Sequence, residues 1–277
     1  MSIKRILLPV SHSVDMTQTA DFAFVLAAHH KAQVQGISPR HDRSMGDWMD
    51  NWGLSENEIE ALEEQEKQKL KQVQQLAQDT FEAHAARYKK VTAKFTGTSE
   101  VPGTSLLDYT LFSDLAVLGS INQPAGRYWQ FLLDQMLSQS SKPLLLTPPR
   151  PADKDLGNRI VIAWNQSLEA SHAISAAMPL IEAAKQVVVV TVGSDSGAHT
   201  LRQLEEYLLL HAKAVDIEMH DPGRKKTGQF LIDKTAETAG SILIMGAYSH
   251  RRWREQVFGG VTRHVLNNTD VPVLMMH

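Results

Sequence analysis

Two doubly wound α/β units in tandem are the fold class that this 277-residue sequence predicts. Three observations carry that expectation. Apolar runs of strand length alternate with helix-spaced stretches, the pattern of a parallel sheet covered on both faces. Three segments recur in the same order in both halves of the chain. A proline-rich polar stretch separates the halves, as a linker between two compact units should.

The recurrences are specific. Ile6-Leu-Leu-Pro-Val-Ser-His-Ser13 resembles Ile160-Val-Ile-Ala-Trp-Asn-Gln-Ser167, Leu115–Gly119 resembles Ile242–Gly246, and Lys142–Leu146 resembles Val271–Met275. The first pair lies 154 positions apart and the second 127, so the N-terminal half carries 27 extra residues between these anchors. The boundaries that follow are a first unit over residues 1–148 with an insertion at about 40–87, a linker over 149–158, and a second unit over 159–277.

In the first half, strands are expected near Arg5–Val10, Gln33–Ile37, Val91–Phe95, Leu115–Leu118 and Leu144–Leu146, where β-branched and leucine residues run together. Within the insertion, Ser55 and Glu58 have capping-box spacing. Ile59, Leu62, Leu70, Val73, Ala77 and Phe81 then recur at helical spacing, interrupted by Glu66, which predicts one long helix. Before it, Trp48 and Trp52 stand in a polar loop. They either fold back on their own unit, the plainer reading, or form a lid or subunit contact. In the second half, strands are expected at Ile160–Trp164, Val187–Val192, Val215–Met219, Ile242–Met245 and Val271–Met275. The helices between them are expected at Leu168–Ala184, Leu201–Ala212, Gly228–Ala239 and Gly260–Asn267. Right-handed crossovers then favour strand order 3-2-1-4-5 in a Rossmann-like sheet for each half, with ligands bound where the order reverses.

Composition excludes several functions. The chain has 28 basic and 31 acidic residues, a net charge of −3 that offers no nucleic-acid or membrane-surface electrostatics. It has no cysteine, which removes disulfides, thiolate metal sites and cysteine catalysis. The apolar run at Ile6–Val10 is too short for a signal peptide, and Val187–Val192 is far short of a membrane span, so a cytoplasmic protein is expected. The phosphate-loop and dinucleotide glycine motifs are missing. Gly193-Ser-Asp-Ser-Gly197 has aspartate where a nucleophile elbow needs serine. The 12 histidines are scattered without metal-ligand spacing, and no catalytic residue or metal site is assigned.

The segment from Met245 to Arg263 does carry chemistry. A strand ends at Gly246, a loop with Arg251, Arg252 and Arg254 follows, and Gly259-Gly260 opens a helix. Free N–H groups and the helix dipole favour an anion at such a start. This segment resembles the nucleotide motif of the universal stress protein family, Gly-x2-Gly-x9-Gly-Ser/Thr. Gly246 takes the first position, Ser249 stands for the second glycine, nine residues intervene before Gly259, and Gly260 replaces the hydroxyl residue. Ile160–Ser167 resembles the family's opening strand, with Asn165 in the usual aspartate position, and Val271–Met275 resembles its last strand. Both halves are covered, so the whole chain resembles a tandem universal stress protein.

The resemblance implies the adenine-nucleotide α-hydrolase-like fold in each half, with the halves packed as a pseudo-dimer through Leu144–Leu146 and Val273–Met275 while keeping separate sheets. It also implies a stress-response protein that binds ATP or AMP in its C-terminal half without appreciable catalysis, with magnesium only as the companion of ATP. The adenine would lie near Ala163, Trp164, Asn165 and Val192. The phosphates would lie on Gly246, Ser249, His250 and the run Gly259, Gly260, Val261 and Thr262. In the N-terminal half, the same spacing from Gly119 places Leu132-Leu133 where the final glycines belong, and Ser11 replaces the aspartate, so no nucleotide is expected there. The alternative is a nucleotide-free interaction module of the same fold. An enzyme ranks last, a weak ATPase included, because no base or metal carboxylate is recognisable. Beyond the nucleotide, a homodimer of the tandem chain is the partner considered. Its face would be the 27-residue excess.

Overall fold

The computed structural model describes residues 2–11, 16–38, 55–97, 106–119, 126–193, 198–221, 226–237, 241–247 and 260–277, with backbone only at 56, 63, 66, 126–129 and 198. The expected apolar runs form its strands. They are β1 (Arg5–Pro9), β2 (Gln33–Ser38), β3 (Thr92–Gly97), β4 (Leu115–Gly119) and β5 (Leu144–Thr147) in the first half. The second half contributes β6 (Arg159–Ala163), β7 (Gln186–Val192), β8 (Val215–His220), β9 (Ser241–Gly246) and β10 (Val273–Met276). Helices α1 (Thr17–His30), α2 (Glu56–Ala85), α3 (Leu106–Leu111) and α4 (Gly126–Gln139) lie in the first half. Helices α5 (Leu168–Ala176), α6 (Met178–Ala183), α7 (Ala198–Leu209), α8 (Thr227–Ala236) and α9 (Gly260–Asn268) lie in the second.

The strand order is β3-β2-β1-β4-β5-β10-β9-β6-β7-β8. Each half therefore has the expected 3-2-1-4-5 order with all-parallel neighbours. The expectation of two separate sheets is corrected. The strands named for the contact between halves do meet, but they hydrogen-bond antiparallel, Leu144 opposite Met275, Leu145 opposite Leu274 and Leu146 opposite Val273. One ten-stranded sheet results. The physical reason lies in the edges. Taken alone, β5 and β10 would each present a row of unpaired N–H and C=O groups, while their side chains are buried throughout β5 and at all but the last residue of β10. Pairing them satisfies both rows at once.

A second correction concerns the stretch Leu168–Ala184, which is two helices rather than one. The break falls at Ala177, just before Pro179 near the start of α6. Proline has no N–H for the carbonyl four residues back, and its ring crowds that carbonyl, so a continuous helix is interrupted.

The long helix α2 forms as its sequence requires. Both the N–H and the hydroxyl of Ser55 donate to Glu58 Oε2, at 2.8 and 2.7 Å. Those hydrogen bonds, the hydroxyl's first, hold the Glu58 carboxyl below its ordinary pKa. The C-terminal part of α2 seats on the sheet through buried Ala77, Phe81 and His84, with Gln74 over Gly97 of β3. Phe81 lies between Phe24 and Phe95, with ring centres 5.9 and 5.7 Å away. A Cβ on Gly36 of β2 would come within 2.5 Å of the Phe81 ring, so glycine there is what lets the helix approach. The Trp48 and Trp52 expectations lie outside the described residues.

Candidate functional site

The carboxyl ends of β6, β7 and β9 open into a cleft in the second half, at the point where the strand order reverses. The turn after β6 is fixed by its own polar groups. The Trp164 N–H extends the ladder by donating to the Val190 carbonyl at 2.9 Å. Asn165 Oδ1 accepts from the Ser167 N–H at 3.2 Å, and Ser167 Oγ caps α5 by accepting from the Ala170 N–H at 3.1 Å. Between them Gln166 holds a left-handed conformation at φ 61°. For a non-glycine residue that conformation costs about 1–2 kcal/mol, and here the flanking hydrogen bonds maintain it.

The cleft has a volume of about 140 Å³. Apolar cavities of ~150 Å³ take benzene, so this space suits one aromatic ring system. The sequence-predicted residues Ala163, Trp164, Asn165 and Val192 line its strand side. Gly246, Gly260, Val261 and Thr262 line the side facing α9. Eight of the eleven candidate residues thus come together, while Ser249, His250 and Gly259 lie outside the described residues, as do Arg251, Arg252 and Arg254.

Four lining residues escaped the sequence reading: Val190, Met245, Thr227 and Leu231. The first two belong to strands buried on both faces, where no alternation tells which side chain faces the ligand side. Thr227 and Leu231 are on α8, which closes the cleft by packing tightly on α9. A Cβ on Gly228 would lie 3.2 Å from the Val261 carbonyl, and His264 Nε2 donates to Gln229 Oε1 at 3.0 Å. Gln229 in turn donates to Asp233 at 2.8 Å. The Thr227-Gly228 pair at a helix start was the available signal.

The surfaces divide chemically. Ala163, Val190, Val192, Leu231 and Met245 give apolar walls, and Asn165, Thr227 and Thr262 add polar atoms. The indole N–H of Trp164 is buried with no acceptor among the described residues. Helix α9 has no acidic residue in its first turn to neutralise its N-terminal dipole. Among the described residues a Cβ at Gly260 would meet nothing within 4 Å, so they leave the side of this helix start open. Gly246 is different. A Cβ there would lie 2.5 Å from the Ala170 backbone nitrogen, so this glycine admits the start of α5 against the strand end. Among the described residues no group of three or more histidine and acidic side chains is brought together as a metal site would need.

Beside the cleft, His220 at the end of β8 pairs in register with Val192. Glu218 accepts from His220 Nε2 at 2.7 Å and from Lys234 at 3.0 Å. The His220 hydrogen bond first, and Lys234 after it, hold the Glu218 carboxyl below its ordinary pKa despite partial burial. This cluster ties edge strand β8 to α8 rather than lining the cleft.

In the N-terminal half Leu132-Leu133 do not stand at a helix start, contrary to expectation. Helix α4 already begins at Gly126, so these leucines lie well inside it, 3% and 0% exposed in the core, and do not form a helix start. Counting back from the following strand, Gly260 corresponds to Phe131, and α4 starts five residues before it. A continuing helix covers the position where α9 offers free N–H groups.

No protein-family model and no curated protein matches the chain. Solved structures do. A universal stress protein from Archaeoglobus fulgidus DSM 4304 superposes with a TM-score of 0.64 at 16% identity, over 99% of this chain and 96% of that one. The chain has the universal stress protein fold. A putative universal stress protein from Pseudomonas aeruginosa UCBPP-PA14 gives 0.56 at 14% identity, over 99% and 93% of the two chains. The cytoplasmic domain of a prokaryotic cation chloride cotransporter gives 0.52 at 11%, over 99% and 95%. The universal stress protein fold thus spans nearly the whole sequence, with both halves included. Among the described residues no helix is long and apolar enough to cross a membrane.

Proposed function

We propose that the chain is a stress-response protein that binds one adenine nucleotide, ATP or AMP, in its C-terminal half without appreciable turnover. The observation that carries this reading is the start of α9, where the described residues leave the space beside Gly260 open. A helix N-terminus with no acidic first turn faces an apolar cleft at the sheet's switch point. The base would sit between the apolar strand ends and Leu231, with the Trp164 indole N–H as a donor waiting in the wall. The phosphates would extend over the first turn of α9. None of the described residues lining the cleft offers a carboxylate as base or metal ligand, which favours binding over hydrolysis. Magnesium would enter only with the triphosphate.

Calorimetry with ATP, ADP and AMP tests the reading. One site per chain is expected, and replacing Gly260 by leucine should weaken binding at least about tenfold by filling the space over the helix start. The open surroundings of Gly260 leave the fold undisturbed, so the variant's melting temperature should stay near that of the parent. Two sites per chain, or unchanged affinity in the variant, would contradict the proposal. Absence of binding by the parent chain would favour the nucleotide-free interaction module.

A further inference from the structure

Helix α2 spans 30 residues, about 45 Å at 1.5 Å per residue, and its buried residues Ala77, Phe81 and His84 all lie in its last third, with Gln74 reaching Gly97 of β3 just before them. Along its length runs an apolar stripe that is only partly covered: Leu62 is 42% and Leu76 51% exposed, and Ile59 and Val73 are half-buried. Positions 59, 62, 66, 69, 73 and 76 repeat at strict three-four spacing, the a and d positions of a coiled-coil seam. Ile, Leu, Val and Leu occupy its outer positions, with Glu66 and Lys69 at its centre.

We propose that this seam pairs with the same seam of a second copy of the chain, antiparallel, about a two-fold axis between residues 66 and 69. In that register each a position faces a d position of the other copy. Ile59 falls level with Leu76, Leu62 with Val73, and Glu66 with Lys69. The sequence is complementary to itself about that axis, which is what an isologous interface requires. Charge selects the direction. Residues 56–66 include six glutamates and no basic residue, whereas 67–71 include three lysines and no acidic one. The antiparallel pair lays glutamates beside lysines, while a parallel pair would lay glutamates beside glutamates. At 100° per residue Leu62, Lys69 and Leu76 point about 60–100° away from Ala77, the flank on which both leucines are exposed, while Ile59, Glu66 and Val73 turn to within about 40° of it.

Sedimentation velocity of the full chain tests the pairing. The parent should dimerise at micromolar concentration. Lys69→Glu places like charges at the centre of the seam and should weaken the dimer at least about tenfold. The double change Glu66→Lys with Lys69→Glu restores opposite charges and should restore the dimer. Lys69 is exposed, so circular dichroism should find all three proteins equally folded. A monomeric parent, a dimer indifferent to Lys69→Glu, or a double variant that stays dissociated would each overturn the proposal.

Discussion

Tyr88 stacks on Phe24 at 5.1 Å between ring centres and donates its hydroxyl to Asp21 Oδ1 at 3.1 Å. Burial first, then the Asp21 charge and that hydrogen bond, push the phenol pKa from 10.0 up to about 12. The folded value lies above the ordinary one, so the folded state holds the proton more tightly. The stabilisation is therefore complete below pH 10 and is lost as pH rises through about 12. Tyr88→Phe should cost about 1 kcal/mol at neutral pH, the usual net worth of such a hydrogen bond. It should also flatten the alkaline fall in stability. Denaturant unfolding of both proteins across this range measures it, and identical alkaline slopes would contradict the assignment.

Close approach between elements explains which glycines the fold itself demands. Gly246→Ala forces the start of α5 away from β9, since the new Cβ has backbone atoms at 2.5 Å that cannot rotate aside. A loss of about 1–3 kcal/mol is expected from such overpacking. Gly260→Ala has open space and should leave stability within about 1 kcal/mol of the parent. Thermal melts of the two variants compare them directly, and equal effects would contradict the different roles given to the two glycines. The same physics governs what could be read in advance. Strands such as β7 were legible because Val187–Val190 is a buried, β-branched run. Helix α1 was harder to delimit, because α2 covers its outer side and residues as varied as Thr19, Phe22, Phe24 and Ala27 are all buried, blurring the helical stripe. The candidate site was legible where the Gly246 and Asn165 motifs mark it. The α8 wall was not, since Thr227 and Leu231 reach the cleft only through helix packing.

At the scale of the whole molecule, the two halves share one sheet yet differ at the helix that precedes the last strand of each. Helix α9 starts at Gly260 with space beside it left open by the described residues, whereas α4 begins further back and covers the corresponding position. Sequence repetition displayed the likeness of the halves. The hydrogen-bonded β5–β10 junction was hidden, because antiparallel pairing leaves no mark on two strands that are apolar in either arrangement. The central claim is that a nucleotide occupies the C-terminal half alone. Amide hydrogen exchange with and without ATP tests it most directly. Slowed exchange is predicted at residues 164–166, 190–192, 227–231 and 260–263, with no change at 9–11, 116–119 and 130–133. Matching protection in both halves, or protection confined to the first, would contradict the account.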